Sequence, residues 1–168
     1  TKLAVRGADE AALAALLAPV EDEVRRRLGN FVVAEDDQTL EGVVRDALLA
    51  RGLRVATAET ASGGHLAARL APLPGAEKVF ARGVVTRAPS ELGVEGIGED
   101  AARAVATRLR AESGASHALA LLVAMDEGPE RPDMGGTVCI GIADAGGAVA
   151  RPARLVGNRD WVRAGAVE

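Results

Sequence analysis

Glu59, Thr60, Ser62, Gly63 and Gly64 stand within one short stretch, where an apolar run gives way to a helical pattern. Two hydroxyls and a carboxylate beside a pair of glycines can support two kinds of chemistry. Glycines that open a helix expose backbone N–H groups at its positive end, which suits a phosphate or a developing oxyanion. A hydroxyl can attack a carbonyl carbon if a base accepts its proton. The same residues also make an ordinary helix start, because Ser is a favoured cap and Gly a favoured turn former.

Other chemistry-bearing residues are sparse. His65 and His117 are the only histidines and Cys139 the only cysteine, so no Cys/His metal cluster and no intrachain disulfide is expected. His117 suits the start of a strand and Cys139 core packing. Glu127, Glu130 and Asp133 form an acidic loop, read as solvated or as a weak cation site. The glycines of 93–98 have the wrong spacing for a dinucleotide motif. No metal and no cofactor is expected.

The elements that must position the turn follow from periodicity. Leu40, Val43, Val44, Ala47 and Leu48 lie at helical spacing, and Arg51-Gly52 stops that helix. Residues 53–58 read as a strand that runs into the glycine turn, and 65–71 as the helix beyond it. A strand over 79–86 follows, then a helix over 99–112. The near-continuous apolar run 117–124 suits a strand covered on both faces. Strands at 137–143 and 148–155 form a hairpin about Ala145-Gly146-Gly147, and a last helix starts near Asn158, with Trp161 as its anchor or at a subunit contact. Strands alternating with helices, then a hairpin, predict a three-layer α/β sheet with an antiparallel edge.

Residues 1–37 predict a small α/β appendage: strands at 2–6 and 31–33 flank a helix over 8–28 that Pro19 kinks or breaks. The acidic Glu35-Asp36-Asp37 marks the boundary, and 38–168 form the main domain. The chain has 168 residues, 48% hydrophobic and 26% charged, which is a globular composition. No apolar run approaches the roughly 20 residues that span a bilayer, so a soluble, cytoplasmic protein is expected. It starts at Thr1 without a methionine, and an upstream segment is therefore expected too. A net charge of −4 gives no strong nucleic-acid signal, although Arg151, Arg154, Arg159 and Arg163 could form a local basic stripe.

The motif order Ala58-Glu59-Thr60-Ala61-Ser62-Gly63-Gly64, Pro74-Gly75, Gly83-Val84-Val85-Thr86, Leu92-Gly93-Val94, Gly136-Thr137-Val138 and Gly157-Asn158-Arg159 resembles the C-terminal domain of the CinA family of competence- and damage-inducible proteins. Residues 1–37 look like the small linker domain that, in long members, follows a molybdopterin-binding-like domain. The resemblance implies a nicotinamide mononucleotide amidohydrolase (a C–N amide hydrolase) and a homodimer. It puts Thr60 at the presumed nucleophile, with Ser62 as a second hydroxyl. It also implies Glu59, Gly63, Gly64, Thr86, Arg87, Arg159 and Arg163 around the ligand and its phosphate.

The chain departs from the family pattern at its acid–base residues. The second motif, Thr-Tyr-Ser-Asn-Glu-Ala-Lys, is here Thr86-Arg87-Ala88-Pro89-Ser90-Glu91-Leu92, so Arg87 takes the tyrosine position and no lysine follows. A guanidinium stays protonated and cannot act as base. His65 reads as a helix-face residue or, secondarily, as an alternative base. The third motif falls on Ala124-Met125-Asp126-Glu127-Gly128-Pro129, which brings carboxylates where a phosphate is expected. The expected function is an impaired or inactive amidohydrolase-like domain for a pyridine nucleotide. The alternative is a non-catalytic nucleotide-binding or partner-binding protein of competence or the DNA-damage response, with a recombination protein as partner.

Overall fold

The structure is a computed structural model that describes residues 2–126 and 134–168. The acidic loop with Glu127, Glu130 and Asp133 lies outside the described residues, as does the end of the third motif. The chain divides into two compact units, one up to Val43 and one from Val44.

In the first unit, α1 (Glu10–Leu28) is capped by the Asp9 side chain, which accepts from the Ala12 N–H at 2.8 Å. Glu10 at its start and Arg25, Arg26 and Arg27 at its end complement the helix dipole. The helix runs on through Pro19 without a break, so of the expected kink or break the structure excludes the break. A 3-10 turn, Gly29–Phe31, follows. The strands that the sequence suggests at 2–6 and 31–33 are absent, so the appendage is helical among its described residues. Two short strands without a third or a shared apolar face have too little to hold them, and Phe31 is 88% exposed. The unit boundary falls within α2 (Leu40–Ala50), whose start is capped by the Thr39 hydroxyl accepting from the Gly42 N–H.

The second unit is a five-stranded sheet flanked by helices. Its strands are β1 (Val55–Thr60), β2 (Phe80–Thr86), β3 (His117–Met125), β4 (Gly135–Asp144) and β5 (Gly147–Val156), in the order β2-β1-β3-β4-β5. β1 pairs in parallel with β2 and β3, while β3–β4 and β4–β5 are antiparallel. The helices are α3 (His65–Leu70), α4 (Ala76–Val79), α5 (Glu99–Ser113) and α6 (Arg159–Gly165).

Alternation along the strands feeds two cores. On one face Ala56, Ala58, Ala118, Ala120, Leu122 and Cys139 pack with Ala102, Val105, Ala106 and Leu109 of α5. The small residues bring α5 close: a Cβ at Gly141 would run into the Ala102 carbonyl. Burial pushes the Cys139 thiol above its ordinary pKa, consistent with a packing role. On the other face Leu121, Val123 and Val138 meet Val162 and Ala166, with Leu66 of α3 beside them. Val162 is fully buried and anchors α6, whereas Trp161 is 72% exposed and is no anchor. Among the described residues no helix is long and apolar enough to cross a membrane.

The buried polar residues described here are Thr57, Glu59, Thr60 and Ser62, all on β1 or the turn after it. Glu59, Thr60 and Ser62 are hydrogen-bonded, but the Thr57 hydroxyl is buried without a partner. An orphaned polar group costs about 1–3 kcal/mol. Thr57→Val, which keeps the branched shape, is therefore expected to stabilise the protein by about 1 kcal/mol. Thermal denaturation should register that as a rise of about 2–4 °C.

Candidate functional site

β1 has to turn sharply to enter α3, and the turn is strained. The Ser62 N–H donates back to the Thr60 carbonyl at 2.6 Å, closing a three-residue turn about Ala61. Ala61 has φ 55°, so this is the rarer, positive-φ form of the γ-turn. Gly63 and Gly64 follow with φ 74° and 89°, which glycine adopts without penalty. Strain held at a non-glycine residue persists only where its surroundings fix it, and such positions cluster at functional sites.

Glu59 provides that fixing. Its carboxylate is fully buried on the α3 face of β1. It accepts from the Ser62 hydroxyl at 2.6 Å, the Leu66 N–H at 3.1 Å and the Ala67 N–H at 3.0 Å. The first N–H groups of a helix have no partner within it, and Gly64, at the cap position, has no side chain to offer. A buried anion reaching across from the strand fills that need and matches the positive end of the helix. Glu59 is thus turned toward the helix and is not among the residues lining the cleft.

The two candidate nucleophiles are also turned inward. The Thr60 hydroxyl is fully buried, accepts from the Val123 N–H at 2.9 Å and lies 3.4 Å from the Val123 carbonyl. The β1–β3 ladder ends at the pair Glu59–Leu121, and the Thr60 hydroxyl extends it by one rung. Ser62 is fully buried and its hydroxyl is spent on Glu59. His65 Nε2 lies 3.5 Å from an Arg163 terminal nitrogen, and no hydrogen bond joins it to either hydroxyl among the described residues.

What opens to solvent is a cleft of about 790 Å³ beyond the carboxyl ends of β1, β2 and β3, where ligands of open α/β sheets bind. Ala61 and Gly63 line it from the turn, Val123, Ala124 and Met125 from β3, Val85, Thr86, Arg87 and Glu91 from β2 and the segment after it, and Arg159, Asp160 and Arg163 from α6. Of the ligand residues that the sequence suggests, the structure gathers Gly63, Thr86, Arg87, Arg159 and Arg163 here. Glu59 and Gly64 are not among the lining residues. Thr86 is the one hydroxyl in the lining, and it donates to the Ala88 carbonyl at 3.2 Å.

The guanidinium of Arg163 lies across Gly63, where a Cβ would stand 2.8 Å from its terminal nitrogen. Its Nε is buried without a partner, and its nearest carboxylate oxygen, on Asp160, is 3.9 Å away. Glu91 is occupied with the backbone N–H groups of Arg87 and Ala88. Asp126, which the sequence brings close to the ligand region, is turned away: Arg154 of β5 grips its carboxylate with two N–H groups, one at 2.9 Å. The expected repulsion from this residue is thereby reduced, and among the described residues the cleft presents three arginines against Glu91 and Asp160.

Sequence reasoning missed the clamp role of Glu59 and the Asp126–Arg154 pair. The first left a signal, since a carboxylate at the end of a fully buried strand before a Gly-Gly helix start must find donors. The second depends on the register of β4 and β5 and left none.

A model described as the CinA C-terminal domain matches residues 37–90. A CinA-like protein of Frankia casuarinae is 36% identical over 178 residues, covering 99% of this chain and 41% of that protein. A putative competence-damage inducible protein of Symbiobacterium thermophilum is 37% identical, covering 96% of this chain and 43% of its own. The chain thus spans about two fifths of the length of these relatives. The crystal structure of a competence damage-inducible protein from Klebsiella pneumoniae superposes with a TM-score of 0.63 at 29% identity, over 74% of this chain and 85% of that one.

Glu59→Gln keeps the shape of the clamp but sets an amide NH2 against at least one of the N–H donors. It is expected to cost about 2–3 kcal/mol, read as a lowered urea midpoint with unchanged slope.

Proposed function

The chain belongs to the CinA family, and on that premise we propose that its cleft binds a phosphate-bearing pyridine nucleotide without efficiently hydrolysing the carboxamide. The observation that carries this reading is the inward orientation of both hydroxyls. Hydrolysis of nicotinamide mononucleotide adds water across a C–N bond and releases ammonia. A hydroxyl nucleophile would have to reach the carbonyl carbon and give up its proton. Thr60 and Ser62 are buried and bonded to Val123 and Glu59. Arg87 stands in the family's tyrosine position and cannot accept a proton. General acid–base groups contribute a factor of about 10²–10⁴, which this cleft forgoes.

Binding has more in its favour than turnover. Arg163 offers an unpartnered Nε beside the strained turn, and Arg87 and Arg159 share the same lining. Guanidinium groups suit phosphate, and the cleft volume lies within the usual range for small-molecule sites, about 300–1,000 Å³.

Two assays on the purified chain test the reading together. Nicotinamide mononucleotide at a hundredfold excess over its dissociation constant should stabilise the fold by about 2.7 kcal/mol. Ammonia release should stay at the level of a Thr60→Ala, Ser62→Ala double variant shown to be folded. Release by the natural chain that the double variant abolishes would refute the impairment. Absence of stabilisation would refute the ligand site.

A further inference from the structure

Arg87 is the departure that the proposed function uses only negatively, as a lost tyrosine. Its position gives it a positive use. It follows Thr86, the last residue of β2, and Thr86 pairs with Thr60 at the end of β1. Neighbouring strands stand about 4.8 Å apart, so Arg87 flanks the turn at Ala61 from the β2 side. Arg163 comes from α6, which packs against β4 and β5 on the β3 side of β1, and lies over Gly63. Both line the cleft, and β3 forms the wall between the turn and α6.

The Arg87 backbone N–H donates to Glu91 at 3.2 Å, but among the described residues nothing occupies its exposed guanidinium. Arg163 Nε is likewise unpartnered, though buried. The cleft therefore holds two separate guanidinium positions with unused donors, one on each side of the turn. A ligand with a single phosphoryl group engages one of them and leaves the other cation unmatched. Like charges lining one cleft repel, and a second anionic group between them removes that cost.

We propose that the cleft is selective for nucleotides bearing two phosphoryl groups, one held by Arg163 and the other by Arg87. The proposal rests on the reading of the cleft as a nucleotide site and adds the class of nucleotide.

Isothermal titration calorimetry of the full chain with nicotinamide mononucleotide and with nicotinamide adenine dinucleotide tests it, since the second ligand extends the first by a phosphoryl group and an adenosine. The dinucleotide should bind at least tenfold more tightly. Arg87→Ala should remove that advantage, so that the two ligands bind within about twofold of one another, and Arg87→Lys should restore part of it. Arg163→Ala should weaken both ligands. Adenosine, titrated as a competitor, should not displace the dinucleotide. Because Arg87 is exposed, its variants should melt with the natural chain, which separates lost affinity from lost fold. Equal affinities, a silent Arg87→Ala, or displacement by adenosine would overturn the selectivity and leave the nucleotide site standing. Binding of neither nucleotide would overturn both.

Discussion

A buried carboxylate with three donors is the constraint on which the rest of this domain depends. Glu59 enters a strand that is buried along its whole length, where an unpaired charge would be very costly. Its cost is offset only if the chain turns at once and delivers donors to it. The turn does so by folding about Ala61, pointing the Ser62 hydroxyl inward and starting α3 with the Leu66 and Ala67 N–H groups aimed at the carboxylate. The γ-turn, the positive-φ glycines and the short helix are consequences of one electrostatic demand.

The same demand decides what the cleft can do. By drawing Ser62 inward, and with Thr60 used as an extra rung to Val123, the turn leaves its outer surface to Ala61 and Gly63. Gly63 provides no side chain, and Arg163 fills the space it leaves. Charge arrives at the cleft from α6 and from the end of β2, while the carboxylate that would oppose it, Asp126, is held off by Arg154. The outcome, among the described residues, is a lining with three arginines, two carboxylates (Glu91 and Asp160) and no histidine. On the proposed reading, such a site holds a nucleotide and provides little chemistry.

Much of this was legible in the sequence because it rests on short-range pattern. The apolar run at 117–124 gave β3, helical spacing gave α2 and α5, and the glycine turn marked the strand-to-helix junction where the cleft opens. The sequence misled where local propensity had no tertiary support. Val32 and Val33 have strand propensity, yet among the described residues no neighbouring strand pairs with them, and Pro19 does not break α1. Side-chain direction was the other limit. A hydroxyl at the end of β1 could face ligand or core, and only the ladder to Val123 and the Glu59 clamp decide between them. The anchoring alternative for Trp161 failed for the same reason, since its neighbour Val162 is the residue that α6 turns toward the sheet.

The central claim is that the hydroxyls serve the fold and the arginines serve the ligand. A crystal structure of the chain grown with nicotinamide mononucleotide tests it most directly. The account predicts an intact carboxamide, the phosphate against Arg163, and the Thr60 hydroxyl still bonded to Val123. An acyl group on Thr60 or Ser62, or the deamidated acid in the cleft, would contradict it.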